Sequence, residues 1–129
     1  MALPPLLSEH PRPVQAVLAV VVPVVFGAIA GILLGISEPA YVVLSLLVIL
    51  GGVAAGFDHV GAAAGAQRGA LGGVLFGSAI LIAHEISGDE PEAHLPEPAV
   101  LLVVVTTVLG VALGALGGWL RERAQRRAG

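Results

Sequence analysis

Hydrophobic residues along this chain form four long blocks, and nearly all charged and proline residues lie between or outside them. The blocks span residues 14–36, 40–57, 69–86 and 99–120, and each contains 18 to 23 residues. A helix needs about 20 residues to cross a hydrocarbon core about 30 Å thick. The pattern therefore predicts four transmembrane helices.

The segments between the blocks are short, and this predicts how the helices are arranged. Residues 37–39, 58–68 and 87–98 connect successive blocks, and helices joined so tightly run antiparallel to their neighbours. The predicted fold class is all-α integral membrane, with a four-helix bundle over residues 14–120. Residues 1–13 are expected to be a disordered cytoplasmic N-terminus, and residues 121–129 a basic cytoplasmic tail.

Composition agrees with a single membrane domain. Only 12% of the residues are charged and 57% are hydrophobic, whereas soluble domains carry about 25% charged residues. The chain has no cysteine. Disulfide bonds, thiolate metal sites and cysteine nucleophiles are therefore excluded.

Two similar stretches indicate an internal repeat. "FGAIAGILLGIS" at 26–37 and "FGSAILIAHEIS" at 76–87 share Phe, Gly, two Ile and Ser, and "EPA" follows at 38 and again at 97. A duplicated helical hairpin would give parallel repeats related by a pseudo-twofold axis along the membrane normal. Chance similarity in a chain so rich in glycine, alanine and valine is the alternative.

The basic residues predict the orientation. All are arginines, at positions 12, 68, 121, 123, 126 and 127, and the connections at 37–39 and 87–98 carry none. The positive-inside rule then places both termini and the middle connection in the cytoplasm, in a plasma (inner) membrane. We expect the last four, Arg121, Arg123, Arg126 and Arg127, to anchor the chain to anionic lipid, at about 1 kcal/mol each, without a nucleic-acid partner.

Glycines recur at four-residue spacing in every block. The members of these stripes are Gly27, Gly31, Gly35, Gly52, Gly56, Gly69, Gly73, Gly77, Gly110, Gly114 and Gly118. Small residues at this spacing allow close helix contact in lipid. The stripes therefore predict glycine-zipper packing, and because every helix has one, some are expected to face a second copy of the chain or a partner membrane protein.

Glycines 61 and 65 continue the third stripe beyond the membrane. An i+4 line drifts around a helix by about 40° per step, so five glycines from 61 to 77 sweep too widely for one partner helix. We expect Gly69, Gly73 and Gly77 to lie in the membrane contact. Gly61 and Gly65 are expected to lie in the cytoplasmic connection, where they serve either flexibility or a helical extension packed on a neighbouring helix.

Two polar pairs mark the ends of the predicted spans. His84 and Glu85 lie in the last turn of the third span, on the side of its glycine stripe, and Asp58 and His59 follow the second span. An ionisable residue in a membrane segment is by default a candidate functional site, although residues so near a helix end can also reach solvent. The loop residues Asp89, Glu90, Glu92, His94 and Glu97 fit a solvated acidic loop better than a metal site, and no cofactor is expected.

No enzyme motif is present: there is no catalytic triad spacing, no phosphate-binding loop and no central carboxylate pair. We therefore expect a structural or accessory protein of a membrane assembly. The alternative is a small ion or proton channel or transporter with an acidic outer vestibule.

Overall fold

The fold consists of four long helices. The computed structural model describes residues 3–87 and 100–128, and all regular structure within these ranges is helical. A 3-10 turn, Leu7–Glu9, precedes helices α1 (Arg12–Leu34), α2 (Glu38–Gly56), α3 (Ala62–Ser87) and α4 (Val100–Ala128). All four are long and apolar enough to cross a membrane. The four predicted helices are confirmed, and the chain has the features of a membrane protein.

The junction between α1 and α2 shows how a short sequence reverses the chain. Gly35 follows the end of α1 and donates its backbone N–H to Ile32 O at 3.2 Å. Ser37 caps α2 by accepting the N–H of Ala40 at 3.3 Å. Proline is tolerated within the first turn of α2, because the backbone N–H that it lacks would have no hydrogen-bond partner in the helix at that position. Gly35 therefore belongs to a turn, whereas the sequence pattern placed it on a packing stripe.

Two helices extend beyond the predicted spans. Helix α3 begins at Ala62, within the predicted connection, and the turn before it uses Gly61 at a φ of +98°. Helix α4 continues through the predicted tail, where Arg126 Nη2 lies 2.9 Å from Glu122 Oε1 one turn earlier. Alanine and arginine are strong helix formers in water, so these helices do not need an apolar sequence to continue. Hydrophobicity alone therefore underestimated the length of both helices.

The segment before α1 is partly ordered, although disorder was expected over residues 1–13. Leu7 is buried, and its backbone N–H donates to Asp58 O at 3.1 Å. Its turn is closed by Glu9, whose side chain accepts the N–H of Leu6 at 2.8 Å. One apolar side chain and one backbone bond thus hold this segment against the α2–α3 connection.

The helices form a ring in the order α1, α3, α4, α2, with α1 parallel to α3 and α2 parallel to α4. The start of α1, the α2–α3 connection and the arginines of α4 lie at one end, which we call the basic end. At the opposite half, Ala30, Leu34, Phe76, Ile80 and Leu102 form the buried core. Large apolar side chains cover the outer surface of the ring, as a lipid-facing surface requires.

The two hairpins pack unequally. The contact between α3 and α4 is the most extensive in the bundle, and the contact between α1 and α2 is among the least. The first and third helices are neighbours in the ring, whereas a twofold axis through a four-helix ring would set them opposite each other. This arrangement does not confirm the predicted duplication.

Candidate functional site

Helices α3 and α4 approach each other to backbone contact. A Cβ atom built on Gly65 would collide with Gly114 O, and the same holds for Gly69 with Gly110 O and for Gly73 with Thr106 O. The contacts step by four residues in opposite directions along the two helices, as expected for an antiparallel pair. No side chain larger than hydrogen fits at these glycines while the helices keep their separation.

The stripe on α3 extends further along α4 than predicted. Gly65 lies inside the contact, and Gly61 donates its N–H to Gly118 O at 2.9 Å. A four-residue period exceeds the 3.6 residues of a helical turn, so a continuous stripe requires the two helices to wrap around each other in a right-handed sense. The expectation that one partner helix could not follow all five glycines was wrong, whereas the alternative of a helical extension packed on a neighbour describes Gly65.

Glycines of α1 and α2 face neighbours within the same bundle. A Cβ built on Gly27 would lie 2.7 Å from Ala79 Cβ, and one on Gly31 would lie 2.9 Å from Ala83 Cβ. Gly52 faces Leu113 at 3.3 Å. The stripes of α1 and α2 are therefore occupied by α3 and α4 of the same chain.

Three helices meet at Gly114. Gly56 of α2 and Gly65 of α3 both face its backbone, while the next turn of α4 brings Gly117 against Val53 O. The sequence reasoning missed Gly117, which lies off the 110–114–118 line. Its position directly before Gly118 was the available signal, because two adjacent glycines give one helix two close-packing faces.

Thr106 continues the glycine line of α4. Its Oγ1 lies 2.8 Å from Gly73 O and 3.0 Å from Val103 O, so its single hydroxyl hydrogen is shared between a carbonyl across the contact and one within its own helix. A Cβ on Gly77 would collide with this hydroxyl. Thr106 thus adds a polar bond to a contact that otherwise depends on shape.

The predicted polar pairs lie at opposite ends of the bundle. From Ala62 to His84, α3 rises about 33 Å at about 1.5 Å per residue. Glu85 is exposed, which agrees with the alternative that it reaches solvent and not with a position facing other helices, and His84 is half-buried with an Nδ1 that has no hydrogen-bond partner. The acidic loop that was predicted to adjoin them lies outside the described residues.

At the basic end, Asp58 and His59 belong to a larger charged cluster. Burial raises the pKa of Asp58, while the charges of Arg68, His59, His10 and Arg121 oppose this rise. Burial and the charge of Arg68 lower the pKa of His59, and the charge of Asp58 opposes that change. Arginine charges thus approach the Asp58 carboxylate from both α3 and α4.

The four arginines of α4 do not share one role. Arg121 is only 3% exposed, donates from Nη1 to Phe57 O at 3.3 Å, and stacks over the Phe57 ring at 5.2 Å. Arg123 stacks over Trp119 at 5.2 Å and is exposed, as are Arg126 and Arg127. Three of the four are therefore accessible for lipid anchoring, whereas Arg121 ties α4 to the end of α2.

Arg68 is buried inside the bundle, 8% exposed, and donates from Nη2 to Leu18 O at 2.9 Å. In an α-helix, Leu18 O would accept the N–H of Val22, but a π-helical turn at Val17–Val21 redirects that N–H to Val17 O. The next residue, Pro23, has no N–H to offer. Arg68 therefore supplies the donor that α1 lacks, as neighbouring helices do at prolines in membranes.

A cavity of about 560 Å³ lies inside the ring and is lined by all four helices. Its walls are apolar except at a few positions, chiefly Arg68 towards the basic end, Thr106 on α4, and Tyr41 and Ser45 on α2. The volume falls within the range of about 300–1,000 Å³ that is typical of small-molecule sites. Sequence patterns did not predict this cavity, because it depends on which helices pack tightly and which do not.

Within residues 3–87 and 100–128, no three His, Asp or Glu side chains lie together as a metal site requires. The chain matches no known family model, no curated protein and no solved structure.

Proposed function

We propose that this protein is a multi-pass protein of the plasma (inner) membrane, with both termini cytoplasmic, that serves as a non-enzymatic structural or accessory subunit of a membrane assembly. The arginine distribution supports the orientation, because all six lie at or near the basic end. The apolar outer surface of the ring supports the membrane location.

The separation of the polar groups is the observation that carries this proposal. Asp58 and His59 lie at the basic end, and His84 and Glu85 lie about 33 Å away along α3. Between them, the described cavity wall is apolar with isolated hydroxyls and one arginine. A channel needs sites that replace the hydration shell of an ion along its path, and this wall offers no such series. The geometry therefore favours the accessory role over conduction.

The partner surface that we propose lies on α2. Most glycines of the stripes face other helices of the same chain. Gly51 is different, because a Cβ built there would meet no atom within 4 Å. Leu47 and Leu50 beside it are 58% and 69% exposed. This face of α2 is the place where a second copy or a partner helix would find both small and large apolar residues.

Proteoliposome flux and oligomeric state together test the proposal. We expect no flux of protons or common ions above empty liposomes, and cysteine crosslinking at position 51 between copies or to a co-purified membrane protein. Flux that is lost in Glu85→Gln would overturn the accessory role in favour of the channel. Ala112 is exposed on α4 and serves as the comparison position. Crosslinking through a cysteine at position 112, and not through one at position 51, would show that the partner surface is not on α2.

A further inference from the structure

We propose that the central cavity binds an anionic phospholipid, with one acyl chain inside the ring and the headgroup phosphate close to Arg68. The lipid would enter from the leaflet that surrounds the basic end. This site adjoins the α2 face, because Leu47 and Gly51 also line the cavity, but lipid retention is read from the single chain and does not require a partner subunit.

The shape of the cavity fits an acyl chain. Its lining on α3 runs from Arg68 to Ile80, a rise of about 18 Å at about 1.5 Å per residue. Along this length the wall consists largely of aliphatic side chains and glycine. An elongated apolar space of about 560 Å³ matches a hydrocarbon chain better than a compact polar solute.

The cavity is accessible from the side. Phe26 of α1 and Leu47 of α2 both line it, and they are 42% and 58% exposed. The contact between α1 and α2 is also among the least extensive in the ring. A lipid can therefore enter between these helices without separating the tight α3–α4 pair.

Arg68 supplies the charge at one end of the cavity. Its side chain is buried, one nitrogen is used by Leu18 O, and Nε has no hydrogen-bond partner. Asp58 is the carboxylate whose charge acts on Arg68, and Asp58 is also acted on by Arg121, a second buried guanidinium. Buried cations require a compensating anion, and guanidinium groups bind phosphate through paired N–H donors. An anionic headgroup meets both needs.

The depth of Arg68 agrees with a headgroup position. It lies six residues from the start of α3, or about 9 Å along the helix. A headgroup drawn down to this level places its acyl chain alongside the remaining turns of α3. Zwitterionic lipid offers the same chain but no net charge, so the charge of the headgroup should decide occupancy.

Native mass spectrometry of the full chain tests the proposal, using nanodiscs that contain equal amounts of phosphatidylglycerol and phosphatidylcholine with identical acyl chains. We expect one retained phosphatidylglycerol, favoured about tenfold over phosphatidylcholine. Arg68→Gln should abolish this preference. Arg12→Gln removes the same charge from an exposed position at the start of α1 and should leave the preference unchanged.

A second variant keeps the proposal testable if Arg68→Gln does not fold. A Cβ built on Gly72 would meet only Arg68 Nη1, at 3.9 Å, so Gly72→Leu fills the cavity beside Arg68 without a backbone clash. We expect it to lose the retained lipid, while Ala112→Leu on the exposed face of α4 keeps it. Equal retention of both lipids by the wild type, or retention by Gly72→Leu, would overturn the proposal. So would displacement of phosphatidylglycerol by equimolar oleate, which would identify a free fatty carboxylate as the occupant.

Discussion

At the scale of single residues, Arg68 and Pro23 form a structural pair although they lie on different helices. Pro23 removes a donor from α1, and Arg68 replaces it at Leu18 O. Arg68→Gln should therefore destabilise the fold by about 1–3 kcal/mol, the cost of an unsatisfied buried carbonyl. In a Pro23→Ala background the restored backbone N–H should reduce that cost by at least about 0.5 kcal/mol.

Denaturation of the four proteins of this double-mutant cycle by sodium dodecyl sulfate in mixed micelles measures the coupling. Arg123→Gln, combined with Pro23→Ala in the same way, is the control and should give additive free energies. Additive free energies for Arg68 and Pro23 as well would show that the carbonyl of Leu18 is satisfied independently of Arg68.

His59 provides a prediction for pH dependence. Burial and Arg68 hold its pKa below the ordinary value of 6.5. The folded protein therefore takes up this proton less readily than the unfolded chain, so the contribution of His59 to stability is present above pH 6.5 and declines as the pH falls through the lower folded value. An NMR titration of the His59 ring should give a midpoint below 6.5.

Arg68→Gln should move that midpoint upward, because the charge of Arg68 opposes protonation of His59. Arg123→Gln should leave the midpoint where it is in the wild type. A wild-type midpoint at or above 6.5 would contradict the burial of this histidine at the α2–α3 connection.

At the scale of helices, the α3–α4 contact predicts which glycines tolerate a methyl group. Gly69 faces Gly110 O so closely that Gly69→Ala forces the helices apart, which should destabilise the fold by about 1–3 kcal/mol. Gly51→Ala is the matched control, because a Cβ there meets no atom within 4 Å and alanine favours helix. Unfolding in mixed micelles should give a lower free energy for the first variant and no loss for the second. Equal losses would mean that the glycines act only through helix propensity.

At the scale of the whole molecule, the hydrophobic pattern was sufficient for the number and type of elements. A long apolar block predicts a helix because, in the hydrocarbon core of a membrane, every backbone polar group must form its hydrogen bond within the segment itself. The pattern left open whether Gly61 and Gly65 are flexible or join a contact with a neighbouring helix, since this depends on how two helices pack against each other. The pattern could not reveal the role of Arg68, because the carbonyl that this residue satisfies lies 50 positions away.

The orientation of the whole molecule is the last testable consequence. The chain has no cysteine, so single cysteines can report which side of the membrane each position occupies. If the arginines orient the bundle, then Ser8→Cys in the N-terminal segment should be protected from a membrane-impermeant maleimide in intact cells. Ile86→Cys, at an 81% exposed position at the opposite end of α3, should be labelled. Permeabilised cells serve as the control, in which both positions should react. Labelling of Ser8→Cys in intact cells, with protection of Ile86→Cys, would reverse the orientation and with it the leaflet that supplies the lipid to Arg68.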